Sequence, residues 1–173
     1  AEVKDLGVFN RAPFEGVPLF IVDEVDVEIN LKDILFGDQL RVKGISLIRP
    51  QITIKVLKDG RANYDITFPS TDSVTVTSED VGSFSFGIDH WQIIDGLLIY
   101  DDQSLPFFTS LRGLNHSGNG DFNEKEFDLT THSMIDSFTV AYDGVEYLTN
   151  KQAQIDAIIG IGENYTRYTF KDN

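Results

Sequence analysis

The feature that most constrains this sequence is an alternation of apolar with acidic or amide side chains shortly before residue 31. The apolar positions are Val25, Val27, Ile29 and Leu31, and the polar positions are Glu24, Asp26, Glu28 and Asn30. Successive side chains of a β-strand point to opposite faces of the sheet, so this period of two predicts a strand with one buried face and one face in water.

A short helix and a bulged strand are predicted next. Residues 30–37 predict a helix of barely two turns, capped by Asn30 and stopped by Gly37. In the strand that follows, the apolar residues change from even to odd positions at Gly44, which predicts a β-bulge there. Pro50 lacks an amide hydrogen and is expected to end that strand.

The register of the next hairpin can be predicted from its apolar residues. A two-residue loop, Asp59-Gly60, would place apolar residues opposite polar ones. A three-residue loop that begins at Lys58 makes every inward pair apolar, and it predicts a type I turn with Gly60 in the left-handed region. The predicted pairs are Val56 with Ala62, Ile54 with Tyr64 and Ile52 with Ile66.

This region resembles the AsmA-like family. The chain reads LRVKGISLIRPQITI at 40–54 and KDGRANYDI at 58–66, and the family carries a glycine before a strand ending in Arg-Pro, then an Asp-Gly turn followed by Asn and Asp. The matching residues are Gly44, Leu47, Arg49, Pro50, Asp59, Gly60, Ala62, Asn63 and Asp65. The segments IIDGLLIYDD at 93–102 and YTFKDN at 168–173 resemble further parts of the version found in Bacteroidetes-type bacteria.

The resemblance implies a non-enzymatic, periplasmic segment of an inner-membrane-anchored protein that takes part in outer-membrane biogenesis in Gram-negative bacteria. The family is similar to bridge-like lipid-transfer proteins that guide acyl chains along a hydrophobic groove, so phospholipid acyl chains are an expected partner. No apolar run in the sequence approaches the roughly 18 to 20 residues of a membrane span, and the chain begins at Ala1. The membrane anchor is therefore expected outside this sequence.

The charge balance argues against nucleic acid as a partner. The chain of 173 residues carries 28 acidic and 14 basic residues, a net charge of −14. A surface this acidic repels phosphate backbones and disfavours electrostatic binding to anionic lipid. The absence of Cys excludes disulfides and thiolate metal sites.

The length suits a single domain, 1–173, or two small lobes that share a sheet. Residues 69–85 are rich in Ser, Thr and Asp, which predicts a flexible connection between lobes 1–68 and 86–173. The residues from Trp91 to Tyr100 are apolar at both parities, which leaves the register open and predicts a strand covered on both faces.

Asp-Gly pairs predict turns that separate the strands of a meander. They begin at Asp59, Asp95 and Asp143. At Asp143 a two-residue loop is expected to pair Tyr142 with Val145 and Val140 with Tyr147. The predicted fold is mainly β: a curved antiparallel sheet or an incomplete β-barrel with one or two short helices, with a loose sandwich as the alternative.

No catalytic, cofactor-binding or metal-binding residue is predicted. The three histidines, His90, His116 and His132, lack the spacing of a zinc site. The acidic turn 121–126 lacks the glycine of a calcium loop, and adjacent strand residues such as Asp101 and Asp102 point to opposite faces. The family-like group of Gly44, Arg49, Pro50, Asp59, Gly60, Asn63 and Asp65 is interpreted as structural.

Two functions remain open on the sequence: lipid guidance along a hydrophobic groove, and a β-rich protein-protein interaction module that handles no lipid. They differ in whether the inner face of the sheet is an open apolar trough or is filled by its own side chains. The candidate inner-face residues are Ile52, Ile54, Val56, Tyr64, Val140 and Tyr147.

Overall fold

A computed structural model describes residues 1–29, 42–66, 88–122, 124, 126–162 and 166–172. These residues form one sheet and include no helix, so the protein is mainly β as predicted. The strands are β1 (Glu2–Phe9), β2 (Pro18–Ile29), β3 (Val42–Ile48), β4 (Gln51–Val56), β5 (His90–Asp102), β6 (Phe107–Asn119), β7 (Phe127–Tyr142), β8 (Val145–Gly162) and β9 (Arg167–Asp172). The predicted helix at 30–37 and the predicted connection at 69–85 lie outside the described residues.

The sheet is mixed rather than antiparallel. The strand order is β1-β2-β3-β5-β6-β7-β8-β9, and β4 continues β3 between β2 and β5. β3 and β4 both run parallel to β5, whereas the other pairs are antiparallel. Two consecutive parallel strands begin at the same edge of a sheet, so the chain must return to that edge between them. The meander predicted from the hairpins is therefore interrupted between β4 and β5. Both predicted lobes contribute strands to this one sheet.

The predicted bulge and both predicted hairpin turns are confirmed near their loops. β2 pairs with β3 at Glu28 and Gly44 and then at Ile29 and Val42, so Lys43 is the extra residue of the bulge. Val56 pairs with Ala62 across a turn in which Gly60 has φ of 85°. Tyr142 pairs with Val145 across the turn at Asp143.

The pairs predicted further from the loops are wrong. Ile54 pairs with Tyr100, and Ile52 lies between Phe20 and Leu98, so neither lies beside Tyr64 or Ile66 in a ladder. Val140 pairs with Leu148, and the next residue, Ala141, pairs with Glu146. Tyr147 is therefore the extra residue of a bulge in β8. In both hairpins the predicted register holds only for the pair next to the turn.

The turn predicted at Asp95-Gly96 is also wrong, because this pair lies within β5 and does not reverse the chain. The amide of Asp95 donates to Oδ1 of Asn115 on β6 at 3.2 Å, which replaces a ladder hydrogen bond. The apolar side chains of β5 are half-buried on both faces. Within the described residues the buried apolar side chains are Phe14, Val22, Val42, Val56, Ile135 and Ile161.

Candidate functional site

In one half of the sheet, pairing places apolar side chains on the same face of neighbouring strands. Residues paired across strands share a face. One row contains Val25, Leu47, Ile93, His116, Ser133 and Ile155, and the next contains Val27, Ile45, Trp91, Gly118, Thr131 and Ala157. The residues between these positions are mainly polar and include Glu24, Asp26, Ser46, Gln92, Ser117 and His132. This half therefore has one apolar and one polar face.

The other half of the sheet also has apolar rows, but at the opposite parity. One row contains Phe20, Ile52, Leu98, Leu111 and Phe138, and the next contains Ile54, Tyr100, Thr109 and Val140. In β2, for example, the apolar positions change from odd, at Val25 and Val27, to even, at Val22 and Phe20. The same change occurs in β4 relative to β3 and within β5, β6 and β7.

The change of parity coincides with a line of irregular residues across the sheet. We call Asp5, Arg49, Asp95, Gly113 and Asn150 the transverse row; each has positive φ, between 50° and 61°. The register irregularities of β5, β6 and β8 fall at the same level. One extra or left-handed residue shifts the alternation of a strand by one. We infer that the apolar side chains of both halves therefore lie on one side, which we call the apolar face.

Four of the six predicted inner-face residues lie on the apolar face. Ile52, Ile54 and Val56 extend along β4, and Val140 lies on β7. Tyr64 follows the hairpin outside the strands and is 56% exposed, and the bulged Tyr147 is 66% exposed. The sequence did not identify the rows through Trp91 and Ile93. Which face of the sheet these two side chains occupy follows only from the parallel pairing of β5 with β3.

The apolar face is not covered by the described elements. Its central side chains, such as Leu47, Ile93 and Leu98, are half-buried. Exposure rises toward both edges of the sheet and reaches 48% at Val3 and 68% at Phe170. A continuous apolar surface that remains accessible to solvent is typical of a binding surface.

An aromatic cluster lies at one end of the apolar face. Trp91 lies over Gly118, where an added Cβ would be 2.0 Å from the indole. Its ring is 5.9 Å from Phe122, which in turn is 4.9 Å from Phe127. Such tilted and edge-on pairs are favourable for aromatic rings, so Phe122 holds the loop after β6 against this end of the face.

Two polar clusters lie among the apolar rows, and each contains internal hydrogen bonds. His116 Nδ1 and Ser133 Oγ are 2.8 Å apart, and burial, followed by the charge of His132, lowers the pKa of His116. Asp102 is 5% exposed and accepts from the Ser104 hydroxyl at 2.6 Å and from Tyr100 at 3.0 Å. The hydroxyl of Ser104 is the main cause that lowers the pKa of Asp102.

The His116–Ser133 pair does not form a catalytic triad with the described residues. A serine nucleophile beside histidine also needs a group that orients the imidazole, commonly a carboxylate. Within the described ranges, no carboxylate is hydrogen-bonded to His116. The acid nearest in the rows, Asp156, instead pairs with His132, and that hydrogen bond lowers the pKa of Asp156.

The first family-like residues shape β3 and its connection to β4. An added Cβ at Gly44 would meet the imidazole of His90, which would have to move aside. Arg49 is left-handed, and its Nε lies 2.6 Å from a carboxylate oxygen of Asp23. Pro50 is buried, and its carbonyl accepts the amide of Leu97 from β5.

The remaining family-like residues form the hairpin after β4. Asp59 accepts the amide of Arg61 at 3.1 Å and pairs with its guanidinium at 2.8 Å. Gly60 occupies the left-handed position, and Asn63 is 2% exposed. The amide of Asp65 donates to the carbonyl of Ala62.

On the side of β4 that faces β2, no described strand pairs with the residues from Thr53 to Lys55, and the side chain of Asn63 takes that place. Its Oδ1 accepts the amide of Lys55 at 2.8 Å, and its Nδ2 donates to the carbonyl of Thr53 at 2.6 Å. These two bonds satisfy the ladder groups of β4 beyond the end of its pairing with β2. The side chain therefore ends the sheet locally without leaving polar backbone groups unpaired.

In the part of the chain that the structure describes, no group of three or more His, Asp or Glu side chains is placed to hold a metal ion. The same residues contain no helix long and apolar enough to cross a membrane. No family model matches the sequence, and no curated protein or solved structure matches it.

Proposed function

We propose that this chain is a non-enzymatic lipid-guiding segment that holds acyl chains on its apolar face. The observation that supports this is the continuous row structure across the sheet, which leaves apolar side chains half-exposed from β1 to β9. The resemblance to the AsmA-like family motivates the choice of acyl chains. It also motivates the proposed periplasmic location, the inner-membrane anchor and the role in outer-membrane biogenesis.

Binding on this face is expected to depend on shape and apolar contact. Shielding one Val, Leu or Ile side chain from water contributes at most about 1.5 to 3 kcal/mol. A net charge of −14 disfavours attraction to anionic headgroups. Lipid capture is therefore expected to change little between low and high salt.

The test compares variants that place a carboxylate on either face of the same strand. Leu47→Asp alters the apolar face, and Ser46→Asp is its control on the polar face of β3. Ile54→Asp and Thr53→Asp form the matching pair in β4. Each protein is incubated with a photo-crosslinkable phospholipid at low and high salt, after circular dichroism has shown that it is folded.

We expect the two apolar-face variants to capture about tenfold less lipid or worse, since each loses at least about 1.4 kcal/mol of binding free energy. The polar-face variants are expected to match the wild type. Equal capture by all folded variants, or no capture by the wild type, would reject lipid guidance. A strong loss of capture with salt would also reject it, because ion pairs would then drive binding.

A protein-interaction module is the second candidate, and the edge of β8 favours it. β9 pairs with β8 only from Ile158 to Gly162. On the side of β8 that faces away from β7, no described strand lies beside the stretch from Val145 to Ala157, so the backbone groups on that side are available to a partner strand. If lipid capture fails, protection of these amides from hydrogen exchange by an added protein would support this function.

A further inference from the structure

A cavity between the loop after β1 and the hairpin after β4 has the composition of a ligand site. Its volume is about 480 Å³, within the usual range for small-molecule sites. Phe14 is 7% exposed and forms part of its wall. Phe9 and Ile66 also line it and are 70% and 61% exposed, so the cavity has apolar surface that a ligand could shield.

Asn10 gives the cavity a specific polar group. Its Nδ2 atom is buried and, within the described part of the chain, has no hydrogen-bond partner. A buried donor without a partner is unfavourable, and such groups are satisfied in nearly all folded proteins. Because this atom is closed to solvent, a bound oxygen acceptor would satisfy it after the Asn10 side chain turns toward the cavity.

The charged residues of the lining also favour an oxygen acceptor. The guanidinium groups of Arg11 and Arg61 can only donate hydrogen bonds. Among the described lining residues, Arg11 and Arg61 are basic and Asp65 is acidic, and Arg61 also pairs with Asp59 outside the lining. These charges fit a ligand that carries at most one negative charge.

We propose that this cavity binds the carboxylate or ester carbonyl of a small amphiphile, with Asn10 Nδ2 as donor and Phe9, Phe14 and Ile66 around the apolar part. The site is separate from the apolar-face rows tested by Leu47→Asp. Its occupation does not require lipid guidance along the sheet.

The test is a titration followed by the NMR signals of the Asn10 side-chain amide and the Ala62 backbone amide. Decanoate supplies a carboxylate, diheptanoylphosphatidylcholine below its micelle concentration supplies ester carbonyls, and decyltrimethylammonium supplies a similar chain without an acceptor. We expect one or both acceptor ligands to shift these signals and the cation to leave them unchanged. Binding of decanoate alone assigns a free carboxylate, and binding of the phospholipid alone assigns an ester.

Asn10→Leu is expected to weaken binding about tenfold or more, because it removes the donor while keeping a similar shape. It should not lower the melting temperature of the ligand-free protein, since a donor without a partner is lost. Asn119→Leu, at an exposed amide on β6, is the control and should bind like the wild type. Equal binding of the cation, unchanged binding by Asn10→Leu, or a clear loss of ligand-free stability in that variant would overturn the proposal.

Discussion

Replacing Asn63 tests whether one buried side chain substitutes for a strand beside β4. Asn63→Ala removes the acceptor of the Lys55 amide and the donor to the Thr53 carbonyl. Each backbone group left without a partner costs about 1 to 3 kcal/mol. Because both groups are only partly buried, we expect a total loss of about 2 to 4 kcal/mol.

Thermal unfolding followed by circular dichroism measures this loss. For a domain of this size, each kcal/mol lowers Tm by about 2 to 4 °C, so a loss near the middle of the expected range corresponds to about 6 to 12 °C. Gln51→Ala removes an exposed amide from the same strand and is expected to change Tm by much less. A loss below about 1 kcal/mol in a natively folded Asn63→Ala would refute the strand-substitute interpretation.

Asn63→Asp separates the two hydrogen bonds by pH. One oxygen of the introduced carboxylate can still accept from Lys55, but the other faces the carbonyl of Thr53, so two acceptors oppose each other. Protonation restores a donor, and the folded-state pKa of the introduced group is therefore raised above its unfolded value of about 3.9. Stability should be close to the wild type below that unfolded value and should fall as pH rises through the folded pKa.

Urea unfolding between pH 4 and pH 7.5 measures this dependence. Gln51→Glu introduces a carboxyl at an exposed position of β4 and should show little change relative to the wild type. A difference between wild type and Asn63→Asp that is the same at every pH would show that the contact with the Thr53 carbonyl does not control stability.

Three further predictions concern single residues. Gly60→Val should lose about 1 to 2 kcal/mol in urea unfolding, because a Cβ is strained in the left-handed region, and no loss would contradict that conformation. Asp102→Asn should be less stable than the wild type at neutral pH, because the Ser104 hydroxyl stabilises the carboxylate and lowers the pKa of Asp102. The difference in unfolding free energy should narrow toward pH 3 as that carboxylate becomes protonated. A difference that does not change with pH would show that the charge of Asp102 is unimportant. Gly118→Val should displace Trp91, the sole tryptophan, and shift its fluorescence to longer wavelength; an unchanged spectrum would contradict their close contact.

The sequence was sufficient where residues close in the chain determine the structure. The turns at Asp59 and Asp143 and the bulge beside Gly44 follow from local geometry and from apolar residues a few positions away. The same local chemistry predicted a turn at Asp95-Gly96, but the chain does not reverse there. Whether such a pair forms a turn or a bulge depends there on Asn115, which lies on another strand.

The candidate site was predictable to a similar extent. Ile52, Ile54 and Val56 were recognised from their alternation within one strand. Trp91 and Ile93 were ambiguous because Ile94 and Leu98 are also apolar, and only the parallel pairing with β3 determines their face. Asn10 carries no sequence signal, since its importance arises from a cavity formed by two separate loops.

The transverse row explains how one apolar face can extend along strands as long as 18 residues. The apolar residues occupy odd positions in one half of a strand and even positions in the other. In a strand that alternated regularly throughout, these two sets would lie on opposite sides of the sheet. Side chains at the same level take over interrupted backbone hydrogen bonds: the side chain of Asn115 accepts the amide of Asp95, and the hydroxyl of Thr139 accepts the amide of Asn150. Because the irregular residues are aligned across neighbouring strands, each strand shifts parity where its neighbour does. Pairing then continues on both sides of the row, and the apolar side chains form one surface rather than two.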